Sequence, residues 1–556
     1  MKKISLLLLF LMTLQNTFSQ FNWQPLETSI GSGLGGSSIN GIVVLNNKVY
    51  FEGFNSLTTA SELYSTDGTQ AGTTVVADLV QTPGFGSSPR DLTVFNNEIY
   101  FSAGVETFGR ELFKTNGTVT TKVKNNAVGI FQSEPKSLIE VNGQLYYFAL
   151  EQNSIGYDLW RTDGTSDGTV KAAELDLVNN DTRLISKVGN YLVYVGKSFG
   201  DTTIGNEVYS FNTTTNQTTL LLDIAGNANG NAGNFRNMIA FDNKIFYTYG
   251  NDLYYSDGQN QSILLSSGFY SALRNFTVFN NQLLFFATTG TSGTDLFRCV
   301  VNSSNQYEFN KVYNFFPNTT LPYDPINMPA NDFKIVTLNN KLYFAATEEI
   351  SGSNKNIYET DGIICTPVVT MNFTVTPFAR QLFNLTAMNN KLYFQMTGNP
   401  TTSNPGYYQK LWEANPSTGS FQEITTTNSG PIENVPLYVE NYPMIVMNNE
   451  LYFTAFNSEF SSELWKLSDS NQLNISNFDS KNKIDLYPNP TSNILNIKIE
   501  NILNFKIEIF DFIGKKVGYY KNQTSIDVSH LTSGIYLVKI IDLKTNVFSS
   551  YKIIKN

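Results

Sequence analysis

The chain has 556 residues, of which 13% are aromatic and 15% charged, and its formal net charge is −10. This length exceeds what one hydrophobic core usually holds, so we expect at least two domains unless repeats build one large ring. The negative charge argues against nucleic acid as a partner, because binding phosphates needs a basic surface. One histidine and two cysteines, without a CxxC pair, argue against zinc, haem and iron–sulfur sites, and we expect no metal or cofactor.

Residues 1–19 have the pattern of an export signal. Lys2 and Lys3 precede the apolar stretch 4–12, which is too short to anchor a protein in a bilayer. Small residues end at Ser19, so cleavage is expected between Ser19 and Gln20. No later stretch has the roughly eighteen consecutive apolar residues of a membrane helix. The sequence therefore predicts an exported protein without a transmembrane segment.

A short phrase then recurs nine times, as in VLNNKVYFEG from Val44 and TLNNKLYFAA from Thr337. An alternating apolar strand leads to Asn-Asn, Asn-Gly or Asp-Asn, which tolerate the positive φ of a tight hairpin, and a second strand follows. A period near 50 residues made of such strands is typical of a β-propeller. The residue after the Leu, Ile or Val of the second strand marks each repeat: Tyr50, Tyr100, Tyr146, Val193, Phe246, Leu284, Tyr343, Tyr393 and Tyr452.

Each repeat continues with a third strand that starts at a Glu-Leu-aromatic phrase, such as Glu62-Leu63-Tyr64. It turns at Asp-Gly, as in Asp67-Gly68, into a fourth strand. Four antiparallel strands per repeat predict one all-β propeller over residues 20–470, with eight or nine blades. Nine exceeds the usual four to eight. Either the ring is unusually wide, or one repeat, such as the short fifth or the last, does not form a full blade.

Two segments carry a family resemblance. SELYSTDGTQAGTTVVADL from Ser61 and YDLWRTDGTSDGTV from Tyr157 resemble the ELWxTDGTxxGT repeats of secreted bacterial proteins. Those repeats are taken to form propellers, and no activity is defined for them. The resemblance therefore implies the fold and leaves the function open.

The composition changes after a linker, 471–484, which is rich in Ser, Asn and Asp. Residues 21–484 carry 26 basic and 41 acidic side chains, whereas residues 485–556 carry nine lysines and six acids. The last segment contains DLYPNP from Asp485, IEIFD from Ile507 with GKKV from Gly514, LTSGIYLV from Leu531, and a basic end. The most distinctive residues of these pieces are Pro488, Asn489, Pro490, Gly514, Gly534, Tyr536, Lys552 and Lys555.

These four pieces together resemble the type A C-terminal sorting domain of the type IX secretion pathway of Bacteroidetes. The resemblance implies a small β-sandwich over residues 485–556 and the secretion machinery as a partner. It also implies passage across the outer membrane, followed by removal of the domain in the linker or transfer to a surface glycolipid. We accordingly expect a secreted or cell-surface protein.

Residues suited to catalysis are sparse in the repeats. The single histidine, His530, lies in the C-terminal segment, which leaves no histidine base for the propeller. The acids at repeated positions are interpreted as turn and strand-edge residues, and we predict no catalytic residue. Cys299 and Cys365 fall in neighbouring repeats, and the sequence leaves open whether they form a disulfide.

One repeated position suggests a ligand site. The residue six positions before each hairpin turn begins the first strand, and it is basic in five successive repeats and aromatic in three later ones. If the first strand is innermost, these residues ring one mouth of the channel, where cations attract an anion and rings stack on sugars. The alternative is that each cation pairs with a nearby acid. The predicted rim residues are Arg90, Lys136, Arg183, Arg236, Arg274, Phe333, Phe383 and Tyr442.

The leading hypothesis is a non-catalytic, exported binding protein for an anionic polysaccharide or another extracellular partner. Two alternatives remain: a carbohydrate-active enzyme using carboxylates at the propeller mouth, and a passive adhesin scaffold. An enzyme is expected to concentrate long insertions and acids on one face, and the modest differences in repeat length favour binding.

Overall fold

The chain forms two compact units, Phe21–Ser468 and Asp469–Asn556, in a computed structural model. Every regular element in the described part of the chain is a β-strand. The structure describes residues 21–25, 41–55, 60–82, 85–105, 109–124, 132–152, 154, 156–177, 184–196, 206–223, 235–266, 271–288, 293–316, 334–348, 356–371, 382–397, 409–424, 444–457, 461–469, 484–499, 504–511, 515–543 and 548–556.

The first strand, β1, spans Phe21–Pro25. The following strands form eight antiparallel sheets of four consecutive strands each, which we number as blades one to eight. Blade one contains β2 (Ile42–Leu45), β3 (Lys48–Asn55), β4 (Ala60–Thr66) and β5 (Thr74–Ala77). Blade two contains β6 (Arg90–Phe95), β7 (Glu98–Val105), β8 (Gly109–Thr115) and β9 (Thr120–Lys124). Blade three contains β10 (Lys136–Val141), β11 (Gln144–Leu150), β12 (Tyr157–Thr162) and β13 (Val170–Leu177). Blade four contains β14 (Ile185–Val188), β15 (Tyr191–Gly196), β16 (Glu207–Asn212) and β17 (Gln217–Leu222).

Blade five contains β18 (Phe235–Phe241), β19 (Lys244–Tyr249), β20 (Asp252–Ser256) and β21 (Ile263–Ser266). Blade six contains β22 (Ser271–Phe279), β23 (Gln282–Thr288), β24 (Thr294–Val301) and β25 (Tyr307–Tyr313). Blade seven contains β26 (Val336–Leu338), β27 (Lys341–Ala346), β28 (Asn356–Thr360) and β29 (Cys365–Val369). Blade eight contains β30 (Leu382–Met388), β31 (Lys391–Thr397), β32 (Gln409–Asn415) and β33 (Ser420–Glu423).

Blade nine is completed from the other end of the unit. Its inner strands are β34 (Ile445–Met447), β35 (Glu450–Asn457) and β36 (Ser461–Asp469), and β1 is its fourth strand, paired beside β36. The all-β propeller prediction is confirmed, and the described residues form nine four-stranded blades. The short fifth repeat builds a full sheet, and in blade nine β1 occupies the position of the fourth strand, beside β36.

The blades pack face to face because side chains alternate along each second strand. In blade one, Tyr50 packs with Ile99 and Phe101 of blade two, whereas Val49 and Phe51 pack with blade nine. Nine such clusters of buried side chains each join two neighbouring blades. Since one of the nine joins blade one to blade nine, apolar burial closes the ring as well as filling it.

Two features at fixed positions of the repeat, the tyrosine of the second strand and the glycine of the turn after the third strand, meet between neighbouring blades. Gly117, in the turn after the third strand of blade two, has φ of 88°, and a Cβ there would lie 2.2 Å from the Tyr50 hydroxyl of blade one. The same relation joins Gly164 to Tyr100, at 2.2 Å, and Gly68 of blade one to Tyr452 of blade nine, at 2.4 Å. Glycine is required at these turns both for the backbone conformation and for the room it leaves to the tyrosine.

The C-terminal unit has two sheets. One contains β37 (Ile484–Tyr487), β38 (Ile494–Ile499) and β41 (Ser525–Asp527); the other contains β39 (Phe505–Phe510), β40 (Lys516–Lys521), β42 (Gly534–Asp542) and β43 (Phe548–Lys555). Leu495, Ile497 and Ile526 of the first sheet share a buried core with Ile507 and Val538 of the second. This arrangement is a small β-sandwich, as the sequence predicts.

Candidate functional site

The first strand of each blade lies nearest the axis of the ring. It forms one edge of its sheet, and first strands of neighbouring blades contact each other in the pairs β2–β6, β6–β10, β10–β14, β14–β18, β18–β22, β26–β30 and β34–β2. The beginnings of these strands therefore surround one mouth of the central channel, and their Asn-rich hairpin turns surround the other.

Five of the predicted rim residues occupy one register position at the first mouth. Each lies opposite the same site of the second strand, in the pairs Arg90–Ser102, Lys136–Phe148, Arg236–Thr248, Arg274–Phe286 and Phe383–Gln395. Arg90 and Arg236 are exposed, and the other three are half-buried. The structure thus places these five side chains at equivalent points of five blades. Arg183, Phe333 and Tyr442 lie outside the described residues.

A β-bulge follows each of these five rim residues. The strand register shifts directly after the rim residue, and the next residue has a left-handed φ of 53–57°. Asp and Asn adopt this conformation more readily than most residues, which fits the sequence at four of the five sites. The bulge residues are Asp91, Ser137, Asn237, Asn275 and Asn384.

The bulge also ties one blade to the next. In blade five the Asn237 side-chain amide donates hydrogen bonds to the Thr248 hydroxyl, at 3.2 Å, and to the Leu273 carbonyl, at 2.9 Å. Leu273 directly precedes Arg274 of blade six, so this contact positions the neighbouring rim residue. Bulges typically re-aim a side chain, and here they do so at the mouth of the channel.

A buried carboxylate holds the segment that leads to the rim. Glu62 of blade one accepts hydrogen bonds from the backbone N–H of Ser87, at 2.9 Å, and from its hydroxyl, at 2.5 Å. Ser87 lies three residues before Arg90. Glu111 of blade two likewise accepts from the Ser133 hydroxyl, at 2.6 Å, three residues before Lys136. The Glu-Leu-aromatic phrase therefore supplies a clamp that fixes where the next blade begins.

The Ser-x-Pro-basic sequence is the signal for this clamp, and it was visible without the structure. It occurs as Ser87-Ser88-Pro89-Arg90 and as Ser133-Glu134-Pro135-Lys136, with left-handed φ values of 44° at Ser88 and 41° at Glu134. Its connection with the acids of the preceding repeat is established only by the fold.

Burial changes the pKa of the carboxyl group that forms the clamp. Glu62 is fully buried, and this raises the pKa of its carboxyl to about 7, against the lowering effect of the hydrogen bonds from Ser87 and Leu79. A carboxyl with such a pKa has the proton affinity of a general acid. However, its side chain is enclosed by protein and has no surface to present to a substrate.

Equivalent acids in other blades also have structural partners. Asp158 accepts from the backbone N–H of Leu175, at 2.7 Å, and pairs with Lys171, at 2.9 Å. Asp295 is fully buried and pairs with Lys311, at 2.5 Å, while burial raises its pKa. These contacts agree with the interpretation of the repeated acids as structural residues.

Near blades two and three, the rim contains both basic and acidic side chains. Arg110, which the sequence analysis missed, donates from Nη1 to the carbonyls of Ser88 and Ser102, both at 2.9 Å. Burial and the nearby charge of Arg90 lower the pKa of its guanidinium, and three acids, Glu134, Glu52 and Asp91, act in the opposite direction. This neighbourhood fits the alternative in which rim cations are balanced by acids.

Lys136 faces an aromatic ring. Its ammonium lies 3.4 Å from the centroid of Tyr157, whose hydroxyl donates to the Glu134 carboxylate at 2.6 Å. Burial and that carboxylate raise the pKa of Tyr157. A cation stacked on a tyrosine is held in place, and the contact is worth about 0.5–2 kcal/mol.

Blade five, like blade two, has an exposed arginine at the rim position. Within the described ranges, the guanidinium of Arg236 forms no hydrogen bond or ion pair, and it is exposed to solvent. Arg90 and Arg236 are therefore the rim cations most accessible to a ligand.

The two cysteines lie in different cores. Cys299 packs between blades five and six, and Cys365 packs between blades six and seven. Both are buried free thiols, and burial raises the pKa of each, that of Cys299 to about 12. No disulfide joins them.

In the C-terminal unit, the Pro-Asn-Pro turn pins the last strand. The Asn489 side chain accepts from the backbone N–H of Ile554, at 2.8 Å, and donates to the Lys552 carbonyl, at 2.9 Å. Tyr536, beside Gly534 at the start of β42, is buried and donates from its hydroxyl to the Thr532 carbonyl at 2.8 Å. Pro488 and Pro490 are exposed on the turn, whereas the Lys555 side chain is buried. Gly514, Ser19 and Gln20 lie outside the described residues.

Residues 485–556 match the family model described as the secretion system C-terminal sorting domain. This segment is a sorting domain of the type IX secretion system. The protein is therefore exported to the cell surface or secreted. None of the described elements is a helix long and apolar enough to cross a membrane, and no group of three or more metal-ligating side chains occurs among the described residues.

No curated protein matches the sequence. Among solved structures, the chain is similar to the computationally designed Ika8 protein, with 12% identity and a TM-score of 0.37, covering 70% of this chain and 98% of that one. It is also similar to PorZ, a surface component of the type IX secretion system of Porphyromonas gingivalis, with 11% identity, a TM-score of 0.24, and coverage of 93% and 86%. The β-propeller domain of the Trilobed protease from Pyrococcus furiosus has 10% identity, a TM-score of 0.29, and coverage of 63% and 98%.

Proposed function

We propose that this exported propeller is a non-catalytic binding protein that recognises an acidic polysaccharide at the mouth where its first strands begin. The observation that carries the proposal is the shared register of Arg90, Lys136, Arg236 and Arg274 on four blades, with Phe383 at the same position of a fifth. The predicted residues Arg183, Phe333 and Tyr442 would extend the same series.

Charge supports an anionic ligand. Residues 21–484 have 15 more acids than bases, so a series of cations at one repeated position departs from the trend of the unit. Each exposed contact with an anion contributes about 0.2–1 kcal/mol. A polymer that engages several such cations adds these contributions, and the sum falls as salt screens the charges.

The acids support binding over catalysis. Glu62, Glu111 and Asp295 are fully buried and serve hydrogen bonds or ion pairs inside the blades. A glycosidase needs two carboxyl groups that face the same bound sugar, about 5–10 Å apart. If the polysaccharide does not bind, the competing functions are binding of an extracellular protein partner and a passive scaffold role.

The test is the double variant Arg90→Ala/Arg236→Ala. Both side chains are exposed and neither enters the apolar clusters, so the melting temperature is expected to change little. Affinity for polygalacturonate is expected to fall about five- to tenfold at low salt, because two charge contacts are lost. Titration calorimetry at two salt concentrations measures both the affinity and its salt dependence.

The matched control is Lys114→Ala/Lys341→Ala, which removes the same charge from two lysines paired with Glu98 and Glu359 at the hairpin ends of blades two and seven. Its affinity is expected to stay close to that of the wild type. If both double variants bind equally well, the rim is not the site. If the wild type itself shows no affinity for polygalacturonate, the acidic-polysaccharide proposal is wrong.

A second prediction concerns processing. We expect the mature protein to lack the sorting domain, cut within the linker 471–484. Mass spectrometry of the extracellular and surface fractions is then expected to find peptides of the propeller but not peptides covering Ile535 to Lys539. Full-length protein retained in the periplasm of a secretion-competent strain would contradict this.

A further inference from the structure

Blade seven has a further basic residue near the beginning of its innermost strand. Lys334 lies two residues before β26 (Val336–Leu338), the innermost strand of that blade. The neighbouring innermost strand, β30 of blade eight, contacts β26 and carries Phe383 near its beginning. Lys334 and Phe383 therefore lie on adjacent blades at the same mouth of the channel.

The surroundings of Lys334 are unusual for a lysine. Its side chain is half-buried, and within the part of the chain that the structure describes its ammonium has no hydrogen bond and no ion pair. Burial lowers its pKa. Burying an ammonium without a partner of opposite charge costs free energy. An anion bound beside Lys334 would offset part of this cost.

Its place in the series of blades also matters. Arg236, Arg274 and Phe383 lie near the beginnings of the first strands of blades five, six and eight, and Lys334 lies just before the first strand of blade seven. Lys334 thus lies at the junction between the cationic part of the mouth and an aromatic side chain. A carbohydrate ring stacked on an aromatic side chain directs its substituents sideways, toward the next blade.

We infer that Lys334 is a ligand-binding residue and that it binds the carboxylate of a uronic acid whose ring stacks on Phe383. The inference rests on the proposed function and narrows it, because it assigns the ligand class as a polyuronate and the recognition to a carboxylate–ring pair on blades seven and eight. The bound carboxylate supplies a partner that the ammonium lacks among the described residues.

The experiment compares the full chain with Lys334→Met, which keeps the length of the side chain and removes its charge. Polygalacturonate is the probe, and its fully methyl-esterified form is the neutral counterpart. We expect Lys334→Met to weaken binding of polygalacturonate about tenfold, the effect of one charged hydrogen bond, and to leave the melting temperature of the free protein unchanged or higher. Lys341→Met, whose lysine is paired with Glu359, is the control.

The outcomes separate the two proposals. If the wild type binds polygalacturonate and Lys334→Met binds it within twofold, the assignment of Lys334 is wrong and the rim proposal stands. If Lys334→Met lowers the melting temperature of the free protein well below that of Lys341→Met, Lys334 is a structural residue and the inference fails. If the wild type binds the esterified polymer as tightly as the acid form, carboxylate recognition is wrong. If the wild type binds neither polymer, the proposed function fails first.

Discussion

Replacing Gly68 by alanine is expected to lower the free energy of unfolding of the propeller by about 2–4 kcal/mol. Gly68 has φ of 91°, and its added Cβ would lie 2.4 Å from the Tyr452 hydroxyl. The substitution therefore strains the turn and pushes blade nine away from blade one. The midpoint of denaturant-induced unfolding, followed by tyrosine and tryptophan fluorescence, measures the loss.

The chain offers a matched control in Gly143→Ala. Gly143 also has a positive φ, of 74°, but a Cβ there has no atom within 4 Å, so only the backbone strain of about 1 kcal/mol is expected. Removing the hydroxyl in Gly68→Ala/Tyr452→Phe is expected to recover part of the loss, with a coupling of at least about 1 kcal/mol. Equal losses for Gly68→Ala and Gly143→Ala would show that blades one and nine do not meet through this contact.

The second large effect concerns the clamp at Glu62, whose folded-state pKa is raised from 4.5 to about 7. The folded protein holds this proton more tightly than the unfolded chain does. Its contribution to stability is therefore complete below pH 4.5 and is lost as the pH rises through 7. The shift corresponds to up to about 3 kcal/mol, and Glu62→Gln, which cannot ionise, is expected to remove this pH dependence.

Unfolding free energies of the wild type and Glu62→Gln at intervals between pH 4.5 and 8 test this. The difference between the two proteins is expected to move in favour of the glutamine variant as the pH rises. Glu140→Gln is the control: a hydrogen bond from Lys187 lowers the pKa of Glu140, so the pH dependence of its contribution falls below its unfolded value of 4.5, and its difference from the wild type is expected to stay nearly constant across this range. A constant difference between wild type and Glu62→Gln across the range would contradict the raised pKa.

The blades were predictable because their signals are local. The Asn-Asn and Asp-Gly turns fix hairpins within ten to twenty residues, and the alternation of Tyr50 and Phe51 in the second strand assigns the two faces of a blade. The number of blades was not predictable in the same way. The strand that completes blade nine, β1, has only five residues, ends in Pro25 and lacks the Asn-Asn or Asp-Gly turn signal of the repeats. Its partner, β36, lies more than 400 residues away in the sequence, and pairing over that distance leaves no local pattern.

The candidate site was predictable only as a repeated position. Counting from the hairpin turn found Arg90, Arg236 and the others because the bulge inserts the same extra residue in these five first strands. Arg110 and Lys334 were not predicted, because neither occupies the counted position. Whether a rim cation is balanced depends on acids of neighbouring blades, such as Glu134 beside Arg110, and a one-dimensional repeat does not show those neighbours.

The position of β36 has a mechanical consequence. This strand is the last of the propeller before the linker, and it lies between β35 and β1 in its sheet. A force applied through the linker therefore acts on a strand with hydrogen-bond ladders on both sides, and both ladders must break before the strand is drawn out. Had the last repeat supplied its own outer strand, the force would unzip a single edge ladder, one bond at a time.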